Sequence, residues 1–142
     1  MRPIVIDTNV LVSALRAKDI SGGASHALLR AALKGRYIPL FGNALWLEYE
    51  GLLGRDVWTE NTTHTERLEV LKALAAVGRW VSIYYGWRPN LPDEGDNHLI
   101  ELAVAGNAQA IVTYNTKDLQ RGQLLWPHLR VLTPADCLEV LP

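Results

Sequence analysis

The sequence predicts an α/β fold: a single domain over residues 1–142, with a mostly parallel central sheet flanked by helices. Three observations predict it. Short apolar runs such as Ile4-Val5-Ile6 and Ala110-Ile111-Val112-Thr113 read as strands buried on both faces. These runs alternate with longer segments of helical period, the pattern of βαβ crossovers. The chain is one domain long, and 49% hydrophobic against 20% charged residues is enough to build one core.

Taken in order, Ile4 to Ile6 is the first strand. Thr8 or Asn9 is placed to cap a helix running to about Ala17. Ser21-Gly22-Gly23 is a loop. Ser25 to Lys34 is a helix with Ala27, Leu28, Ala31 and Ala32 on one stripe, and Gly35 ends it. Tyr37 to Phe41 reads as a strand, although Pro39 removes a ladder donor. Asn43 caps a helix to Leu53, closed by Gly54. Thr63 or Thr65 starts the next, which carries Leu68, Leu71 and Ala75 and stops at Gly78. Trp80 to Tyr84 is strand-like, and Gly86 to Gly95, with Pro89 and Pro92, is a loop. Asp96 to Ala105 is helical, ended by Gly106-Asn107. Ala110 to Thr113 is a strand, Thr116 to Gln120 a short turn or helix, and Leu129 to Leu132 a strand. Pro134 to Val140 closes the chain as a helix with proline in its first turn. In such sheets ligands bind beyond the carboxyl ends of the strands. Asp7 and the Tyr114-to-Asp118 turn both lie there.

Composition narrows the function classes. Net charge is −1, with 14 Lys+Arg against 15 Asp+Glu, so nucleic-acid binding requires a local basic patch or bound metal. Arg16, Lys18, Arg55, Lys117 and Arg121 are candidate bases, although most of them, taken singly, read better as solvated surface. Cys137 stands alone, and His26, His64, His98 and His128 are scattered without zinc spacing. No stretch reaches the about 18 apolar residues of a membrane span, and the chain opens on a strand rather than a signal peptide. A soluble cytoplasmic protein is expected. Trp46, Trp58, Trp80, Trp87 and Trp126 are assigned to the core or an oligomer interface, with base stacking as the alternative.

Acidic residues carry the chemistry. Asp7 follows a strand and is either a helix cap or a metal ligand at the sheet's end. On the helix from Asn43 the apolar stripe is Leu45, Tyr49, Leu52 and Leu53. Glu48 shares or borders that stripe, whereas Glu50 faces water. Asp96, at the end of the acidic Asp93-Glu94-Gly95-Asp96 loop, starts a helix whose stripe is Leu99, Ile100, Ala103 and Val104. Asp118 follows the Ala110–Thr113 strand and equally suits a surface turn. Thr113 and Asn115 add neutral oxygen donors. Carboxylates that converge repel unless a cation joins them. Oxygen ligands without Cys or His select Mg²⁺ or Mn²⁺. That chemistry suits phosphodiester hydrolysis by a metal-activated water.

At these residues the chain resembles the PIN domain family, and within it the toxins of toxin–antitoxin systems related to VapC. Val5-Ile6-Asp7-Thr8-Asn9-Val10-Leu11 looks like the first family motif, and Trp46-Leu47-Glu48-Tyr49-Glu50-Gly51-Leu52-Leu53 is similar to the second. The third is matched from Asp93 to Ala103 and the fourth from Ala110 to Leu119. The resemblance implies a three-layer α/β sandwich. It implies metal-binding acids at Asp7, Glu48 and Asp96, with Thr8, Asn9 and Thr113 in support. It also implies a Mg²⁺- or Mn²⁺-dependent ribonuclease, often dimeric, neutralised by a small antitoxin. There is one departure: many members carry aspartate where this chain has Asn115, and Asp118 is the nearest acid that could substitute.

The leading expectation is therefore an RNA endonuclease toxin using Asp7, Glu48 and Asp96, assisted by Asp118. The alternative is a catalytically weak module of the same fold that binds RNA or protein, which the missing acid at Asn115 favours. A phosphoaspartate enzyme is disfavoured, because Asn9 stands where such enzymes want a second aspartate.

Overall fold

A computed structural model describes residues 2–16, 23–54, 63–83, 97–126 and 128–142. Among these residues five strands form one parallel sheet: β1 (Arg2–Ile6), β2 (Tyr37–Phe41), β3 (Arg79–Trp80), β4 (Ala110–Val112) and β5 (Arg130–Leu132). Their order is β3-β2-β1-β4-β5, and every neighbouring pair is parallel. Helices α1 (Thr8–Arg16), α2 (Gly23–Leu33), α3 (Asn43–Leu53), α4 (His64–Val77), α5 (Asn97–Ala105), α6 (Thr116–Leu125) and α7 (Pro134–Val140) connect and cover the strands.

The expected fold class holds. β1 and β4 are adjacent, yet the chain leaves β1 toward β2 and leaves β4 toward β5. Their carboxyl ends are thus the point where the winding reverses, the place where sheets of this kind bind ligands. On one face α2 packs against α1, α4 and α7. The return from β3 to β4 runs in the opposite direction, and the right-handed rule puts its helix α5 on the other face. There α5 meets β1, β2 and β4 through buried Leu99, Ile100, Leu102 and Ala103. Ile4, Val5, Ala110, Ile111 and Val112 are all completely buried between these layers, as their unbroken apolar runs require.

Several boundaries differ from expectation, each for a local reason. Asp7, not Thr8 or Asn9, occupies the cap of α1. Its carbonyl accepts from Val10 N and Leu11 N, and its Oδ1 accepts from Thr8 N at 2.7 Å. Gly42, not Asn43, caps α3 and does so without a side-chain bond. A Cβ at Gly42 would lie in ordinary contact with Leu102 Cδ1, at 3.4 Å. Thr63 caps α4 as expected, in a reciprocal box with Glu66. Of the expected Gly106-Asn107 stop, Asn107 takes the left-handed turn after α5, at φ 53°. Gly106 is held by space instead: a Cβ there would meet Leu40 Cδ1 at 2.6 Å. Pro39 is accommodated because β2 pairs with β3 only at Leu40 and Phe41, beyond the proline. The third strand is two residues rather than the expected Trp80–Tyr84, and α6 extends to Leu125 rather than Gln120. Gly23, expected in a loop, instead begins α2. The rest of that loop, 21–22, the expected loop 86–95, Ala17 and Tyr84 lie outside the described residues.

Of the tryptophans, Trp46 and Trp126 are half-buried and Trp80 is 50% exposed. Phe41, Trp46 and Trp80 form an aromatic cluster with centroids 5.2–5.9 Å apart. This matches the core assignment for Trp46 more than for Trp80. Trp58 and Trp87 lie outside the described residues.

Candidate metal centre

The carboxyl ends of β1 and β4 bring together a connected set of oxygen donors. β1 delivers Asp7, which is 7% exposed. β4 delivers Thr113, fully buried, whose Oγ1 donates to Asp7 Oδ2 at 2.7 Å. Asn115 N donates to the same Thr113 hydroxyl at 2.9 Å. A chain of donors therefore runs from the loop backbone through Thr113 onto one carboxylate oxygen, each bond polarising the next. Tyr114 N donates to Asn9 Oδ1 at 3.3 Å, which fastens that loop to the first turn of α1.

Helix α3 brings Glu48. The buried positions of this helix are Leu45, Tyr49 and Leu53, and Glu48 lies half-buried at the edge of their stripe. Glu50 is exposed, as its position round the helix requires. The Tyr49 hydroxyl donates to the Ile6 carbonyl, which pins α3 to the last residue of β1 beside Asp7. Burial, with Asp7 and Glu48 nearby, pushes the Tyr49 hydroxyl's pKa well above its usual value and keeps it a donor.

Thr8 joins the two acids. Its Oγ1 lies 2.7 Å from Glu48 Oε1 and 3.3 Å from Asp7 Oδ1. The sum of those distances bounds the separation of the two carboxylate oxygens. One hydroxyl has one proton, so it satisfies one of these oxygens and leaves the other facing a lone pair. Burial raises the Asp7 pKa, the Thr113 and Thr8 bonds oppose the rise, and the Glu48 charge adds to it. Among the described residues, no basic side chain is among the groups that perturb Asp7. A buried carboxylate with neutral donors only and a second carboxylate close by is an under-compensated negative site. Hard oxygens in that arrangement fit Mg²⁺ or Mn²⁺, and Asp7 and Glu48 are the residues that would hold the ion.

The other expected residues divide. Asp96 lies outside the described residues. Among the described residues no three His, Cys, Asp or Glu side chains converge into a complete ligand set, so the two-acid pair is what these residues provide. Asp118 is exposed in the first turn of α6, with no hydrogen bond to Asp7 or Glu48. Asn115 contributes its backbone N–H, and it too is exposed. Of the candidate bases, Arg16 and Lys117 are exposed on α1 and α6; Lys18, Arg55 and the Arg121 side chain lie outside the described residues.

Sequence reasoning missed two participants. His98 Nε2 is 2.9 Å from Glu48 Oε2, and Tyr49 anchors the helix that carries Glu48. A solitary histidine has no spacing signal. Tyr49 registers only as one more apolar position on its stripe.

The sheet order, the acid at the end of β1 and the hydroxyl at the end of β4 define a class that sequence comparison also identifies. The chain belongs to the PIN domain family, whose model matches residues 3–117. Two solved structures share the fold. One is the FitAB complex bound to an IR36 DNA fragment, 16% identical, covering 92% of this chain and 94% of that one at TM-score 0.61. The other is VapBC2 from Rickettsia felis bound to a DNA fragment from its promoter, 14% identical, covering 92% and 98% at TM-score 0.57. A comparison with curated proteins returns no significant match.

Proposed function

We propose that this PIN domain is a Mg²⁺- or Mn²⁺-dependent endoribonuclease and the toxin of a toxin–antitoxin pair. The observation that carries the reading is the Asp7–Glu48 pair sharing the Thr8 hydroxyl at the carboxyl ends of β1 and β4. When bound, the ion would polarise the scissile phosphoryl group and lower the pKa of the attacking water. The chain's own residues do the rest. Thr113 and Thr8 fix the orientation of Asp7, and Tyr49 fixes the height of α3 on the sheet. Asp96 is proposed as the third acid and Asp118 as an assisting one, with Asn9 and Asn115 supporting the loop between β4 and α6. The products are a 5′-phosphate and a 3′-hydroxyl. The likeness to the FitAB and VapBC2 complexes supports a small antitoxin as partner. A cytoplasmic homodimer belongs to the same proposal.

The test is cleavage of an end-labelled RNA by purified protein. The reading expects cleavage in Mg²⁺ or Mn²⁺, none in chelator, and none by Asp7→Asn. Cleavage by Asp7→Asn at the wild-type rate overturns it.

One observation favours a second reading, that of a binding module with weak catalysis. The position where many family members carry aspartate is Asn115, which is exposed, and the neighbouring acid Asp118 makes no bond to the pair. RNA retention by the wild type in Mg²⁺ without strand scission would select this reading.

A further inference from the structure

Glu48 is held from two sides. Oε1 accepts from Thr8 Oγ1 at 2.7 Å, and Oε2 meets His98 Nε2 at 2.9 Å. The Glu48 side chain is 40% exposed and His98 only 19%. A glutamate on the rim of a helix stripe has several rotamers that reach water, and only some of them turn its carboxylate toward Asp7. His98 does not share that freedom. It lies in the first turn of α5, directly before Leu99 and Ile100, which are buried against the sheet.

The protonation pattern is informative. An ionised carboxylate only accepts, so Nε2 carries the hydrogen of this contact. Among the described residues, Nδ1 is buried without a partner. Here one nitrogen stays orphaned while the other engages Glu48.

We propose that His98 is a positioning residue that holds the Glu48 carboxylate toward Asp7, so that the two acids take a divalent cation together. This rests on the metal reading given above. His98 is not itself a ligand in this scheme. Its Nε2–H occupies one lone-pair direction of Oε2 and leaves Oε1 on the Asp7 side. Metal-binding carboxylates depend on such supporting bonds, and losing one typically weakens affinity about 10- to 100-fold.

The experiment is a Mn²⁺ titration followed by the paramagnetic resonance signal of the free ion. It compares wild type, Asp7→Asn, His98→Ala, His98→Asn and His98→Gln, with melting curves as the check on folding. The glutamine amide reaches the position of the imidazole Nε2, and the shorter asparagine amide does not. The expected result is affinity lowered about 10- to 100-fold by His98→Ala and His98→Asn, and restored to within about threefold by His98→Gln. Should one weakened variant fail to fold, the other carries the comparison with glutamine. Tight binding by wild type and by both shortened variants overturns the role of His98 and leaves the metal reading standing. Equal weakening in all three His98 variants also overturns it, because the ring nitrogen would then be contacting the ion. A wild type that binds no Mn²⁺ overturns the metal reading and the inference with it.

Discussion

Replacing Asp7 by asparagine separates what the carboxylate costs from what it binds. Asp7 is almost fully buried, its partners are Thr8 and Thr113, and burial raises its pKa above the ordinary 3.8. A raised folded-state pKa contributes stability that is complete below 3.8 and is lost as pH rises through the higher folded value. At pH 7 without divalent metal, the ionised Asp7 therefore weighs against the fold. Asparagine keeps the shape and still accepts from Thr8 N, and the Thr113 hydroxyl can accept from the new amide. The expected result in chelator is a higher melting temperature for Asp7→Asn. A gain of about 1 kcal/mol corresponds to roughly 3–5 °C for a chain of this length. The gap should narrow at pH 4. Added Mn²⁺ should reverse the order. An ion at a hundred times its Kd stabilises the folded state by about 2.7 kcal/mol, and only the wild type receives it. Circular dichroism melts in chelator and in millimolar Mn²⁺ give all four values. An asparagine variant that melts below wild type in chelator, or that gains as much from Mn²⁺, would refute the reasoning.

Tyr49→Phe removes the donor to the Ile6 carbonyl in a fully buried position, and urea denaturation should register a loss of about 1–3 kcal/mol. Thr113→Val keeps the shape but deletes the donor to Asp7 Oδ2 and the acceptor for Asn115 N. A loss of about 1.5–3 kcal/mol in the same assay and roughly tenfold weaker Mn²⁺ binding are expected. Burial pushes the Cys137 thiol up to about 11, so a thiol reagent at pH 8 should label it only in denaturant. Fast labelling of native protein would contradict the placement of α7.

The fold is legible in the sequence wherever one physical signal dominates. Ile4-Val5-Ile6 and Ala110-Ile111-Val112 are apolar on both faces, so they can only be interior strands, and Asp7 and Thr113 follow as the residues at their ends. Glu48 is legible because a charge next to Leu45 and Tyr49 interrupts a stripe. Local competition hides other features. Asn43 is the better cap by residue type, but Gly42 takes the extended cap backbone one residue earlier, without a side-chain bond. Asp7 looks equally like a cap or a ligand, and in the structure its backbone caps α1 while its carboxylate meets Thr113 at the end of β4. His98 is invisible because its meaning depends on a contact 50 residues away, across two helices that share no sequence pattern. Asp118 carries the same chemistry as Asp7, yet it follows its strand by enough residues to face solvent from α6.

A crystal grown with Mn²⁺ and measured at a wavelength where manganese scatters anomalously tests the site most directly. The predicted result is one strong anomalous peak in direct coordination with oxygens of both Asp7 and Glu48, with His98 still on the far side of Glu48. A crystal saturated with Mn²⁺ that shows no peak there, with Asp7 and Glu48 still bridged by Thr8 alone, would contradict it.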